Sequence, residues 1–246
     1  MKLLKYFGIL LFVTFLFQAC KDDPEEGTLT LHFKPLYDNQ PLQLLITHPY
    51  DSPQQIQFTH MSMFISDLSL YDQSGDEVLD DIELVNVSFS NLPSAEAGYT
   101  MTLTGVPART YNGIKFGMGV PPDINQMKPA DFPSSSPLSL TGYYWAGWQS
   151  YIFMKTEGHL DSLGNGPFDI GFALHTGSDD LFRILNGPVP IVVEDGKETV
   201  LNIGIDYKKL LAGVDIKGHP QNHTPQDTSE LVKIVNNYTS AITLFQ

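Results

Sequence analysis

The chain holds a single cysteine, Cys20, so it has no partner with which to close an internal disulfide. Basic residues are scarce: 14 lysines and arginines stand against 28 acidic residues, a formal charge of −14. A surface of that sign repels a phosphate backbone, which excludes nucleic acid as a partner, and it suits a soluble surface or docking to a basic protein. The familiar catalytic signatures are missing. There is no Gly-rich phosphate loop, no G-x-S-x-G elbow, no H-E-x-x-H and no paired C-x-x-C. The scattered Ser, His and Asp residues form no constellation that would support a hydrolase.

The first residues, MKLLKYFGILLFVTFLFQAC, carry Lys2 and Lys5 ahead of an apolar run from Tyr6 to Phe17. That run is short for a membrane span and ends on Ala19-Cys20, the pattern of an export signal. It resembles the bacterial lipoprotein signal, in which the cysteine becomes the lipidated N-terminus after cleavage. Lipid attachment at Cys20 also explains a lone cysteine in an exported chain. Loss of residues 1–19 removes two lysines and no acid, taking the formal charge from −14 to −16. The tether KDDPEEG follows, and its lysine and two acids resemble the surface-export signal of Bacteroidetes lipoproteins. The expectation is an outer-membrane lipoprotein on the cell surface or the periplasmic face: residues 1–19 signal, 20–27 lipidated tether, 28–246 one β domain.

Short alternating runs fill that domain. TLTLHF sets Leu29, Leu31 and Phe33 against Thr30 and His32, and FDIGFALH sets Phe168, Ile170, Phe172 and Leu174 against Asp169, Gly171 and His175. Asp195-Gly196 between VPIVVED and ETVLNIGIDY predicts a hairpin. Many short strands with Gly, Pro and Asp punctuation predict an all-β, sandwich-like single domain. One C-terminal amphipathic helix is expected in DTSELVKIVNNYTSAITLF, with Asp227 and Glu230 at capping-box spacing and Leu231, Ile234, Val235, Tyr238 and Ile242 on one face. YKKLLAG predicts a short helix stopped at Gly213.

Seven histidines and the methionines are the candidate metal ligands. His32 and His175 occupy the polar faces of predicted strands, where a neutral imidazole would suit Cu or Zn. His219 and His223 have H-x-x-x-H spacing, but Pro220 lies between them and argues against a helix there. Met61 and Met63 share a strand face, a pattern that core packing also explains.

The densest aromatic stretch is GYYWAGWQSYIFMKTEG, residues 142–158, with six aromatics in Tyr143–Phe153 and both tryptophans of the chain. Read as one unbroken strand, it directs Trp145 and Trp148 to opposite faces, unless a bulge at Gly147 re-aims one. Both faces are apolar, so the strand is expected to be central and buried on both sides. Glu157 at its end would need a partner.

That stretch, preceded by YNGIKFGMGVPPDIN and followed by FDIGFALHTG, resembles the MbnP-like copper-binding proteins, a family named after a methanobactin-associated periplasmic protein. The resemblance runs over residues 28 to 242 and includes MFISDLSL, the His-x-Gly step and a C-terminal histidine before an Asn-containing helix. It implies a non-enzymatic, β-rich exported protein that binds copper through histidines: His175 at the His-x-Gly position, then His32 and His223. In some members a tryptophan is oxidised to kynurenine by a di-haem partner related to bacterial peroxidases, which makes Trp145 or Trp148 the matching residue. The spacer Ala146-Gly147 between the indoles departs from the family pattern. From the residues alone a second function stands beside this one: a β-sandwich interaction or carbohydrate-associated lipoprotein without metal, using the aromatics as a stacking platform.

Overall fold

The computed structural model describes residues 25–222 and 228–245. The expected signal, Cys20, His223 and Asp227 lie outside the described residues. The longer strands, in chain order, are β1 (Glu26–Tyr37), β2 (Gln55–Asp72), β3 (Gly75–Asn86), β4 (Tyr99–Pro107), β5 (Gly113–Met118), β6 (Ser150–Asp161), β7 (Ile170–Gly177), β8 (Arg183–Gly187), β9 (Glu198–Asp206) and β10 (Ile242–Phe245).

They form an all-β sandwich of two main sheets. In the five-stranded sheet β1 lies between β4, antiparallel, and β9, parallel, and β9 carries β10 on its far side. In the nine-stranded sheet β6 is central, with β2 on one side and β7 on the other. The alternation read from the sequence fixes which faces meet. Leu29, Leu31 and Phe33 of β1 and Leu201, Ile203 and Ile205 of β9 turn inward, against Met61, Met63, Met154 and Leu174 of the other sheet. Each fully buried Leu or Phe contributes roughly 1.5–3 kcal/mol by leaving water. Met61 and Met63 are therefore core residues.

Two local expectations are corrected. Asp195-Gly196 makes a turn but no hairpin: Ile191–Val192 pairs with Thr110–Tyr111, whereas β9 leaves to run parallel to β1 from Thr28↔Glu198 to Leu36↔Asp206. The apolar face of β9 completes the core only beside β1, and that non-local burial outweighs the local turn. The C-terminal helix spans Ser229–Ala241, and its stripe Leu231, Ile234, Val235 and Tyr238 is buried beside Leu210 and Leu211 of the segment that follows β9. Ile242 begins β10 instead of closing the stripe. The expected capping box involves Asp227, outside the described residues; the Glu230 carboxylate accepts from the Asp215 backbone N–H at 2.7 Å and from Lys233 Nζ at 2.8 Å. The short helix Tyr207–Leu210 forms as expected, with Gly213 at φ 73° just beyond it.

The outer face of the nine-stranded sheet is only half covered. A segment carrying the short turns Pro129–Asp131 and Pro137–Ser139 lies over one part of it, closing a second apolar cluster of Phe64, Val120, Leu138, Tyr151 and Phe153. The Tyr151 hydroxyl donates to Leu138 O at 2.9 Å. Here β6 is buried on both faces, as its composition predicted. Past Met154 the cover ends, and Lys155, Glu157 and His159 face outward.

Candidate functional site

At the end of that cover the aromatic stretch turns. Tyr144–Trp145 pairs antiparallel with Ser150–Tyr151, and the backbone N–H groups of Trp148 and Gln149 both donate to Trp145 O, at 3.0 and 2.9 Å. Gln149 closes the turn in the left-handed region, φ 55°. The strand expected through this stretch is thus broken between Trp145 and Ser150, so the parity argument does not hold. Gly147 sits in the turn, with nothing within 4 Å of the position its Cβ would take. The two indoles, expected on opposite faces, lie on one side and stack face to face, 5.2 Å between centroids and 4° between planes.

The stack rests on β7. In β7 Phe172, Leu174 and Thr176 turn into the core, leaving Ala173, His175 and Gly177 on the outer face. A Cβ at Gly177 would lie 2.8 Å from Tyr151 O and 3.4 Å from Trp148 Cζ3, so glycine lets the Trp148 ring lie against the strand. Two residues earlier the His175 ring stands edge-on to Trp145, centroids 6.2 Å apart at 63°. His-x-Gly therefore serves both indoles: the histidine meets one and the glycine seats the other.

Glu157, read from the sequence as a carboxylate in need of a partner, finds one in His175, whose Nε2 lies 2.8 Å from Oε1. The His175 side chain is 13% exposed and that of Glu157 34%. Across the sheet on β2, His60 is the register partner of Glu157. Its Nε2 lies 2.8 Å from Ser62 Oγ and 3.4 Å from the Tyr143 hydroxyl, and its Nδ1 lies 3.4 Å from Ser88 Oγ. Burial lowers the His60 pKa below its ordinary 6.5; Glu157 opposes that shift and Lys155 adds to it. Lys155 donates to Gly142 O at 2.7 Å and sits over the Tyr143 ring, 4.2 Å from its centroid, and burial lowers its pKa too. His60 was missed in the sequence. Its signal was the alternation in QFTHMSMF, which sets His60 and Ser62 opposite Met61 and Met63.

Beside the stack is an open pocket of about 440 Å³, lined by Gly142, Tyr144, Trp145, Ile152, Lys155, Ala173, His175 and Gln221. Gln221–Asn222 brings the chain parallel to β7, with Asn222 level with Leu174, the residue before His175. His223, next in sequence, lies outside the described residues. His32 is elsewhere. It projects from the outer face of the five-stranded sheet, its Nδ1 2.9 Å from Thr100 Oγ1, so the whole core separates it from His175. His219 follows a turn, its N–H donating to Asp215 O. Among the described residues no group of three or more His, Cys, Asp or Glu side chains is placed to hold a metal ion.

The family model described as MbnP matches residues 26–228. The chain belongs to the MbnP family. Among solved structures it is similar to MbnP from Methylosinus trichosporium, at 14% identity over 85% of this chain and 87% of that one, with a TM-score of 0.55. At that identity the likeness shows a shared MbnP fold. No protein of curated function matches the sequence. In this MbnP-family chain the aromatic hairpin, the Glu-Gly pair at 157–158 and the His-x-Gly step of the next long strand meet on one patch of the nine-stranded sheet.

Proposed function

We infer that this protein is an exported, lipid-anchored copper-binding protein, non-enzymatic, with His175 as the anchoring ligand. The observation that carries the reading is the setting of His175: an imidazole bonded by a carboxylate at one ring nitrogen, edge-on to Trp145, at an apolar pocket. Metal-ligating histidines are commonly held this way, the second ring nitrogen bonded to a carboxylate that fixes ring and tautomer. Imidazole suits copper in either common oxidation state. Among the described residues His175 is the one imidazole lining this pocket, which by itself does not make up a copper site, and His32, on the opposite outer face, is not brought to it. Copper, when bound, would supply a redox-active Lewis-acidic centre beside the stacked indoles. Lipidation at Cys20 would hold the domain at the outer membrane, on the surface or the periplasmic face. A di-haem peroxidase-like partner that oxidises Trp145 or Trp148 belongs to the same reading, which the partial exposure of both indoles supports.

The metal-free, carbohydrate-associated alternative is left with the outward ring faces alone, since the two stacked rings cover each other's inner faces. Titration of the purified protein with Cu(I) and Cu(II) tests the reading. Saturable binding that is lost in His175→Ala is expected; no saturable binding, or binding indifferent to that change, overturns it.

A further inference from the structure

On the outer face of the five-stranded sheet, two glycines open a depression of about 470 Å³. Lys34 of β1, Gly204 of β9 and Thr243 of β10 stand in one row of that face, Lys34↔Gly204 and Gly204↔Thr243. A Cβ on Gly204 would lie 2.8 Å from both Leu36 Cδ1 and Thr243 Oγ1, so bare backbone there lets those two side chains close towards each other as a floor. Gly98 acts in the same way at the side. It ends the short helix Leu92–Ala97 at φ 81°, and a Cβ on it would meet Phe33 O at 2.5 Å and Lys34 Cγ at 2.9 Å. The helix carrying Glu96 is thereby brought against the strand carrying Lys34. Pro41, Ala95 and the 42% exposed Phe245 join Leu36 as the apolar part of the lining.

Two full charges of opposite sign border this pocket. The Lys34 ammonium lies 5.9 Å from the centroid of the Phe245 ring, and among the described residues neither it nor the Glu96 carboxylate forms an ion pair. The neighbouring lysines are engaged elsewhere: Lys208 pairs with Asp38, and Lys209 donates to Asn39 Oδ1 at 3.1 Å. A concavity of this size, with apolar walls and a few polar groups, is the ordinary form of a small-molecule site. Its charges select the molecule. An ammonium recognises a carboxylate, while a carboxylate and an aromatic face recognise an ammonium. A chain of formal charge −14 repels a simple anion, and its 28 acidic residues offer a simple cation many equivalent places. A zwitterion escapes both effects. We propose that this pocket binds a free α-amino acid with an apolar side chain, its carboxylate on Lys34, its ammonium on Glu96 and its side chain against Leu36, Pro41 and Phe245. The whole core separates this site from His175 and the indoles, so it stands apart from the copper reading.

The test is a proton–nitrogen NMR titration of the purified protein with three probes: leucine, leucinamide, which lacks the carboxylate, and N-acetyl-leucine, which lacks the ammonium. Leucine should shift the amides of Lys34, Glu96, Thr243 and Phe245 saturably. Each truncated probe should bind about 5-fold more weakly, the upper worth of an exposed charge pair. Both charges project from the surface, so Lys34→Gln and Glu96→Gln leave the core untouched. Lys34→Gln should erase the preference for leucine over leucinamide and keep that over N-acetyl-leucine; Glu96→Gln should do the reverse. A purely structural part for either residue would not give this crossed pattern. No saturable shift with leucine, or equal binding of the three probes to wild type, overturns the proposal. Equal loss of all three probes in both variants overturns it too, because it would show a damaged apolar pocket and no reading of charge.

Discussion

Trp148 lies flat against Trp145, and the same ring rests where β7 has no side chain, over Gly177. The stack is thus held from both sides, by a second indole above and by backbone below. This arrangement makes a glycine in one strand a determinant of indole geometry in the neighbouring hairpin.

Replacing Gly177 with alanine should displace Trp148. The new methyl would meet Tyr151 O at 2.8 Å and the indole at 3.4 Å. Such overpacking costs roughly 1–3 kcal/mol. The expected outcome is a lower urea midpoint together with weakened near-ultraviolet circular dichroism from the coupled indoles. An unchanged near-ultraviolet spectrum would show that the stack does not depend on Gly177.

The two described histidines that the family resemblance selects should separate cleanly in a metal titration. His175→Ala is expected to abolish high-affinity copper binding. His32→Ala should leave it intact, since His32 projects from the far outer face; its loss removes only the bond to Thr100, about 1 kcal/mol of stability. Equal losses in the two variants would contradict this placement.

Acid should destabilise the fold through buried imidazoles. His48 stacks on Tyr37, centroids 4.5 Å apart, and burial lowers its pKa below 6.5. The unfolded chain therefore takes up a proton before the folded one does. Stability is complete above about pH 6.5 and declines as pH falls from there through the lower folded value. His48→Phe, which preserves the stacking, should flatten the change in urea midpoint between about pH 8 and pH 5. It should not abolish that change, because burial also lowers the pKa of His60. A pH slope identical to wild type would remove His48 from this account.

Lipid attachment is expected at Cys20. Labelled palmitate supplied to expressing cells should enter the wild-type protein and be absent from Cys20→Ala, which should also leave the membrane fraction. Label persisting in the variant would place the anchor elsewhere, and a wild type without label would remove it.

Much of the fold was legible because alternation is a local property. Leu29, Leu31 and Phe33 of β1, and Phe172 and Leu174 of β7, each declare their face by period, and the structure buries them accordingly. The same reading failed at Trp145 and Trp148, where it assumed an unbroken strand. Four residues, Ala146 to Gln149, form a turn that no Asn-Gly or Asp-Gly pair announces; a left-handed Gln149 closes it. It failed again at Asp195-Gly196, where a strong local turn signal gave way to a parallel pairing with a strand at the other end of the chain.

The sequence by itself determined the all-β class, the inward faces of alternating strands such as β1 and β7, the amphipathic C-terminal helix and the family, because each rests on periodicity or on the order of segments along the chain. Tertiary structure decided what meets what. It decided that Glu157 bonds His175 rather than His60, that His32 lies across the core from both, and that two indoles share one side. These are relations between strands brought together by sheet register and core burial, and no spacing within a single segment encodes them.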